Sequence, residues 1–372
     1  MASFSSSPLY IGLMSGTSTD GVDAVLAAFP QSASPQLVAQ TSLPMPPALR
    51  TEFLSLNSAG DNELARAARA GNELAHLYAQ ACRLLLAKSG ISASEVRAIG
   101  AHGQTVRHDP QTGYTIQINA PALLAELTEI DVVADFRARD VAAGGQGAPL
   151  VPAFHQAVFS THYPRAILNL GGIANVTILE PDREPRGFDT GPANVLLDLW
   201  CHEQTGALFD ADGAWAASGR SDPALLSALL DDEPWFAVAP PKSTGRDLFN
   251  RHWLMNRLAR FQGTGLTAAD IQATLQSLTA ASVQQALTRY APNIEDVLVC
   301  GGGALNGGLV KELELRLGLP VRPTSDVNIP VQSVEAFAFA WLAWAHIERK
   351  PAGLPSVTGA RHTTILGACY PA

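Results

Sequence analysis

Two stretches of the chain place an apolar run on either side of a small polar tip. In the first, Tyr10-Ile11-Gly12-Leu13-Met14 and Val22-Asp23-Ala24-Val25-Leu26 flank Ser15-Gly16-Thr17-Ser18-Thr19-Asp20-Gly21; in the second, Ala166-Ile167-Leu168-Asn169-Leu170 and Ala174-Asn175-Val176-Thr177-Ile178 flank Gly171-Gly172. Short apolar runs joined in this way read as β-hairpins. A third glycine cluster, Gly301-Gly302-Gly303, follows the strand-like Val297-Leu298-Val299. Glycine lets a backbone approach a ligand closely, hydroxyls and bare N–H groups suit phosphate oxygens, and nearby carboxylates can hold Mg²⁺ through water. Any solvated turn favours the same residues. Three such loops together point to a nucleotide.

The remaining periodicity predicts strands over 8–16, 22–29 and 36–43, a long helix over 61–88 closed by Gly90, strand 96–101, an inserted hairpin within 105–119, helix 121–128 and strand 131–135. Gly144-Gly145-Gln146-Gly147 reads as a hinge before a helix opening at Pro149. From 165 the order returns: strands 165–170 and 174–180, an extended piece near 187, helix 192–204, a long insertion 206–268, helix 270–289, strand 296–300, helix 306–317, strand 319–322 and helix 333–347. The order βββαβαβα thus largely repeats without sequence similarity between the halves, which implies a duplicated α/β domain with a cleft between the copies. The expected division is 1–147 plus about 348–372 for the first domain and 148–347, with the insertion 206–268, for the second. The insertion reads as a substrate or dimer element rather than a domain.

Composition narrows the function. With 372 residues, 47% hydrophobic and 16% charged, the chain is long enough for two proper cores. A net charge of −9 and the lack of any Lys/Arg cluster argue against nucleic acid and acidic membranes as partners. An anionic nucleotide would have to be held by backbone dipoles and a bound cation. The four cysteines, Cys82, Cys201, Cys300 and Cys369, have no metal-like spacing, which suits a reducing cytoplasm. The N-terminus carries no basic residue before its apolar stretch, and the longest apolar run, Ala336 to Ala345, is too short to span a bilayer. No G-x-x-x-x-G-K-[ST], G-x-G-x-x-G or H-E-x-x-H occurs, so Walker-type, dinucleotide and zincin chemistries lack their signatures.

Two hairpin tips and a glycine loop on duplicated domains resemble the actin, sugar kinase and heat-shock chaperone superfamily, with its ribonuclease-H-like domains. Within it the chain closely resembles the anhydro-N-acetylmuramic acid kinases. The blocks that carry the resemblance run nearly end to end: Gly12-Leu13-Met14-Ser15-Gly16-Thr17-Ser18 with Asp20-Gly21 and Asp23, His102-Gly103-Gln104-Thr105, Val133-Ala134-Asp135-Phe136-Arg137, Ala142-Ala143-Gly144-Gly145-Gln146-Gly147-Ala148-Pro149-Leu150, Gly187-Phe188-Asp189-Thr190-Gly191-Pro192, Lys242-Ser243-Thr244-Gly245-Arg246 and Cys300-Gly301-Gly302-Gly303-Ala304. Thr19 stands where relatives commonly have Leu, Thr190 where Cys is frequent, and Ala193 where Gly is frequent. None of these departures removes a carboxylate.

The resemblance implies ATP and Mg²⁺ as cofactors, a small amino sugar as substrate, a cytoplasmic homodimer, and a role for each matching residue. Phosphate binding falls to Gly16, Thr17, Ser18, Thr19, Asp20, Gly21, Val22 and Asp23 on the first tip, and to Gly171, Gly172 and Asn175 on the second. Gly301, Gly302 and Gly303 would lie against adenosine, although a tight strand-to-helix turn explains the same glycines. Asp20 would hold the metal through water, or form an Asx turn. Arg137, at the end of a predicted buried strand, would bind the lactyl carboxylate, or pair with Asp135 or Asp140 on the surface. Glu335 would reach the sugar, or merely complement a helix dipole. His102 and Gln104 are substrate contacts or core residues. Pro192 suits a first helical turn, which places Asp189 beside that helix's N-terminus as catalytic base or as an ordinary cap. Lys242 and Arg246 would meet phosphate, or pin the insertion to its own domain or to a partner subunit. A nucleotide-gated binding protein, or a kinase or phosphatase with another small substrate, is the rival reading.

Overall fold

The computed structural model describes residues 7–16, 19–31 and 33–372. The chain divides into two compact units, residues 1–158 with 333–372, and residues 159–332. Thr17 and Ser18 of the first tip lie outside the described residues.

In the first unit, β1 (Leu9–Met14) pairs antiparallel with β2 (Gly21–Ala28), which pairs antiparallel with β3 (Gln36–Pro44). On its other side β1 runs parallel to β4 (Val96–Ala101). The strands β5 (Gln104–Asp109) and β6 (Tyr114–Ile118) form a separate hairpin, and β7 (Val132–Ala134) continues the main sheet parallel to β4. A last strand, Ala368–Tyr370, closes the edge. Every residue of β1 is buried, as expected for a central strand covered on both faces. One cover is the long helix Glu63–Ser89, whose Leu74, Tyr78, Cys82 and Leu85 recur at helical spacing and are buried, and which ends at Gly90 in the left-handed conformation.

The opposite cover is helix Val334–Ile347, and it corrects the expected domain division. The boundaries lie at 158/159 and 332/333, so this helix belongs to the first unit and not the second. The cause is close packing on two glycines. A Cβ added to Gly12 would stand 1.9 Å from the Ala336 carbonyl oxygen, and one added to Gly100 would stand 2.0 Å from that of Phe339. Small residues Ala336, Ala340 and Ala343 are buried along the helix.

The segment 144–147 is also not the loose joint its glycines suggest. Asp140, wholly buried, accepts hydrogen bonds from the Gly147 amide and the Thr358 hydroxyl, both at 2.8 Å. The Gln146 amide donates to the Thr358 carbonyl and the Arg361 amide to that of Ala143. The segment is therefore tied to the C-terminal part of its own unit.

In the second unit β8 (Arg165–Leu170), β9 (Ile173–Leu179) and β10 (Arg186–Pro192) form an antiparallel meander, while β11 (Asp296–Cys300) and β12 (Val321–Pro323) extend the sheet in parallel from β8. The order β10-β9-β8-β11-β12 is the order β3-β2-β1-β4-β7 of the first unit, with the same sequence of antiparallel and parallel pairings. The duplication read from element order is thus a duplication of topology. Helix Ala268–Tyr290 opens on a capping box between Thr267 and Asp270. The insertion has no core of its own making: Leu225, Leu229, Phe249, Trp253 and Leu254 pack with Leu196, Trp200, Leu275 and Leu278 of the two flanking helices.

The glycine seats set a testable cost. Gly12→Ala or Gly100→Ala forces backbone away from the added methyl, and each is expected to lower unfolding free energy by about 3 kcal/mol in urea titrations. A loss of well under about 1 kcal/mol would show that the helix can move aside freely.

Candidate active site

At the first tip, backbone and side chains hold a compact loop. The Thr19 amide donates to the Gly16 carbonyl, and Thr19 itself is buried with φ of 52°, a left-handed conformation that a β-branched residue adopts only under strain. Ser15 donates its hydroxyl proton to Gln104 Oε1, and Gln104 Nε2 donates to the Gly16 carbonyl at 3.1 Å. Gln104 therefore shapes the tip from below, being almost fully buried. Gly21 opens β2 where an added Cβ would meet the Leu43 carbonyl oxygen at 2.6 Å. Asp20 is exposed, whereas Asp23 is half-buried and accepts from the Ser42 hydroxyl. Burial raises the Asp23 carboxyl above its usual range, with Ser42 opposing and the Asp20 charge adding to the effect.

Arg137 lies just past β7, in the first turn of helix Phe136–Ala142, where its surroundings come from three directions. Its Nε donates to His102 Nε2 at 2.9 Å and its Nη1 to the Gly147 carbonyl at 2.8 Å. Among the described residues it makes no ion pair within 4.0 Å with Asp135, Asp140 or any other acid. Asp135 instead accepts from Tyr370, and Asp140 serves the 144–147 segment. Burial and the Arg137 charge push His102 down to about 3, so its ring is neutral and accepts at Nε2. His102 is a support for the guanidinium. Glu335, in the first turn of helix Val334–Ile347, is raised by burial, lowered by Arg137 and raised by Asp23. Arg137, Glu335 and Asp23 thus share one electrostatic neighbourhood.

In the second unit two of the expected residues, Asp189 and Asn175, stand in one row. Asp189 on β10 faces Asn175 on β9, which faces Asn169 on β8, which faces Cys300 on β11. Side chains paired this way share a face of the sheet. Asp189 is within a strand and not beside a helix N-terminus. Pro192 ends β10 and the helix begins at Asn194, because the Ala193, Asn194 and Val195 amides fold back onto the Gly172, Gly171 and Gly172 carbonyls.

The glycines divide by cause. Gly301 has φ of 79°, and a Cβ on Gly303 would meet Leu170 Cβ at 2.7 Å, so the fold itself requires both. Gly171, Gly172 and Gly302 would meet nothing closer than 3.5 Å. Among the described residues no neighbouring atom demands glycine at those three positions.

Asp189 holds the most altered carboxyl of the unit. Its amide donates to the Lys242 carbonyl at 3.1 Å, and its Oδ2 accepts from the Thr244 amide at 2.8 Å. Burial raises it to about 7; the Thr244 amide and then Lys242 oppose the rise. One oxygen is fixed while the group sits near the midpoint of its titration, the state suited to a general base at neutral pH.

Sequence reasoning missed Asn169, Asp140 and Thr244. Asn169 had a signal, as the lone amide in the apolar run Ala166 to Leu170. Thr244 stood in the block Lys242 to Arg246, but nothing pointed to Asp189, which it reaches through a backbone amide 55 residues away.

The sheet topology repeated in the two units, with a glycine turn between β8 and β9 where an added Cβ would meet nothing closer than 3.6 Å, fits a duplicated α/β phosphotransferase. The family profile described as anhydro-N-acetylmuramic acid kinase matches residues 8–372, and the chain belongs to that family. It is 63% identical over 364 residues to the anhydro-N-acetylmuramic acid kinase of Bordetella pertussis, covering 98% of this chain and 96% of that one. It is also 53% identical over 369 residues to the protein of the same name from Cupriavidus pinatubonensis, covering 97% and 98%. The enzyme is a kinase whose family acts on a small amino sugar.

Two outcomes test the site independently of turnover. Asp189 has a folded value of about 7 against an ordinary 3.8, so its ionisation opposes folding. The penalty is absent below about pH 4, grows to about pH 7 and is constant above. The Tm of Asp189→Asn should therefore gain on wild type across that window; a constant difference between pH 4 and 8 would refute the tuned carboxyl. Gly172→Ala should keep the wild-type Tm while weakening nucleotide binding at least about tenfold by calorimetry, a loss of ~1.4 kcal/mol.

Proposed function

We propose that the enzyme opens the 1,6-anhydro ring of anhydro-N-acetylmuramic acid by adding water while transferring the ATP γ-phosphoryl group to O6, giving N-acetylmuramic acid 6-phosphate and ADP. The observation that carries this reading is the half-buried Asp189, fixed at Oδ2 and titrating at about 7. Water is a poor nucleophile, and a positioned base is worth about 10²–10⁴-fold. Asp189 takes the proton from water as the water oxygen bonds to the anomeric carbon. The bond from that carbon to O6 breaks, O6 bonds to the γ-phosphorus, and the bond to the ADP oxygen breaks. The proton then leaves Asp189 to solvent.

The other residues bind and align. Arg137, supported by neutral His102 and lacking an acidic partner among the described residues, suits the lactyl carboxylate, which a guanidinium can grip with two N–H groups. Glu335 suits a sugar hydroxyl beside it. Gly171 and Gly172, open to close approach, suit a phosphate group of ATP. Among the described residues no cluster of three or more His, Cys, Asp and Glu is placed to ligate a metal directly. Asp20 and Asp23 offer hard oxygen donors that fit water-mediated Mg²⁺, which when bound would offset the charge on the transferring phosphoryl group. The same reading carries a cytoplasmic homodimer serving peptidoglycan recycling; four free thiols suit the reducing compartment.

The experiment is mass spectrometry of product formed from ATP and the anhydro sugar in heavy-oxygen water. One labelled oxygen is expected on the anomeric carbon and none on phosphate. Asp189→Asn should lose at least about 10²-fold in kcat while still binding ATP, and wild-type kcat/KM should fall as pH drops below about 7. Unlabelled sugar product, or near-normal turnover by Asp189→Asn, overturns the reading.

A further inference from the structure

The proposed chemistry uses the Thr244 amide of the basic motif at 242–246 but not its lysine, which has an unusual setting. Lys242 Nζ lies 4.1 Å from the centre of the Trp235 ring and donates to the Trp235 and Phe236 carbonyls at 3.4 and 3.2 Å. Trp235 returns the contact, its indole N–H donating to the Ser243 carbonyl at 3.1 Å. Trp235 and Phe236 are themselves seated on Phe249 at ring distances of 5.7 Å, within the apolar cluster that joins the insertion to its flanking helices. Between the two ends of this brace runs the backbone that holds Asp189 from both sides: the Lys242 carbonyl accepts from its amide, and the Thr244 amide donates to its carboxylate.

We propose that Lys242 and Trp235 are positioning residues for Asp189, closing a cation–aromatic brace that keeps the 242–244 backbone against the base. The inference rests on the reading of Asp189 as the base. Lys242 acts through the backbone it carries and through its charge. A cation over an indole ring is held by the ring's negative face, more strongly where water is scarce. The charge adds a second effect of definite sign. Lys242 pulls Asp189 down against burial, and burial followed by Arg289 pulls Lys242 itself down to about 8. Lys242 and Arg289 are the charged groups that act on this pair among the described residues.

The test uses the full-length enzyme with Lys242→Met, Trp235→Phe, Lys242→Arg and Asp189→Asn in parallel, and reads kcat, both KM values, the acid limb of the kcat profile and Tm. Lys242→Met should lower kcat at least about tenfold at pH 7 with both KM values within about twofold of wild type, and move the acid limb up by about half to one pH unit, because a favourable charge has gone. Trp235→Phe keeps the ring and the lysine's charge and loses the indole N–H, so kcat should fall less and the limb should stay. Lys242→Arg, which can stack and donate in the same place, should restore most of kcat. Wild-type kcat and acid limb in Lys242→Met overturn the proposal. So does a loss confined to Tm or KM with the limb unmoved, or a failure of Lys242→Arg to recover activity. If Lys242→Met does not fold, Trp235→Phe decides by its kcat. Should Asp189→Asn stay active, the base assignment fails on its own account, separately from the brace.

Discussion

The fit of one helix into two missing side chains governs the first unit. Helix Val334–Ile347 lies so close to β1 and β4 that Gly12 and Gly100 admit no Cβ between strand and helix backbone. Two consequences follow from that contact. A segment far along the chain is recruited to cover the N-terminal sheet, and its first turn sets Glu335 in the neighbourhood of Arg137 and Asp23. A looser fit would leave the sheet's apolar strand residues less well covered and Glu335 without a fixed place. Dense packing of this kind is what allows a half-buried acid and a guanidinium to be held near one another without a direct ion pair.

Much of the fold was legible because its strands are apolar runs bounded by turn residues. Strands 96–101, 165–170 and 296–300 and helix 121–128 have the bounds that periodicity gives them. Helices Pro47–Leu56 and Phe136–Ala142 escaped because each is short and lacks a side-chain cap, and the first follows a proline-rich turn that reads as a break. The helix expected at Pro149 starts at Pro152. Helix Val334–Ile347 was legible as a helix but not as a member of the first unit. Its apolar composition says that it is buried, not what it is buried against; only the paired glycines on distant strands carry that information, and they look like any other strand glycine.

The site shows the same division between chemistry and placement. Residue types suggest phosphate, carboxylate and base chemistry, and the row from Asp189 through Asn175 to Asn169 places two of the expected residues on one face with one that was missed. The reason for Asp189's tuning was not readable at all. It depends on burial and on a backbone amide supplied from inside an insertion whose composition suggested only an accessory role. His102, read as either a ligand contact or a core residue, occupies a middle position: buried, neutral and spent on orienting a cation.

The turn between β8 and β9 has a mechanical meaning beyond its openness. Its Gly171 and Gly172 carbonyls receive the first amides of helix Asn194–Thr205, so hairpin and helix are joined as a single beam. That beam carries Trp200, whose indole N–H is fastened to the Ala268 carbonyl, and Leu196 and Leu197, on which Phe249 and the aromatic cluster of the insertion rest. The glycine turn, the helix and the apolar cluster beneath the 242–244 segment therefore form one continuous packed path within the second unit.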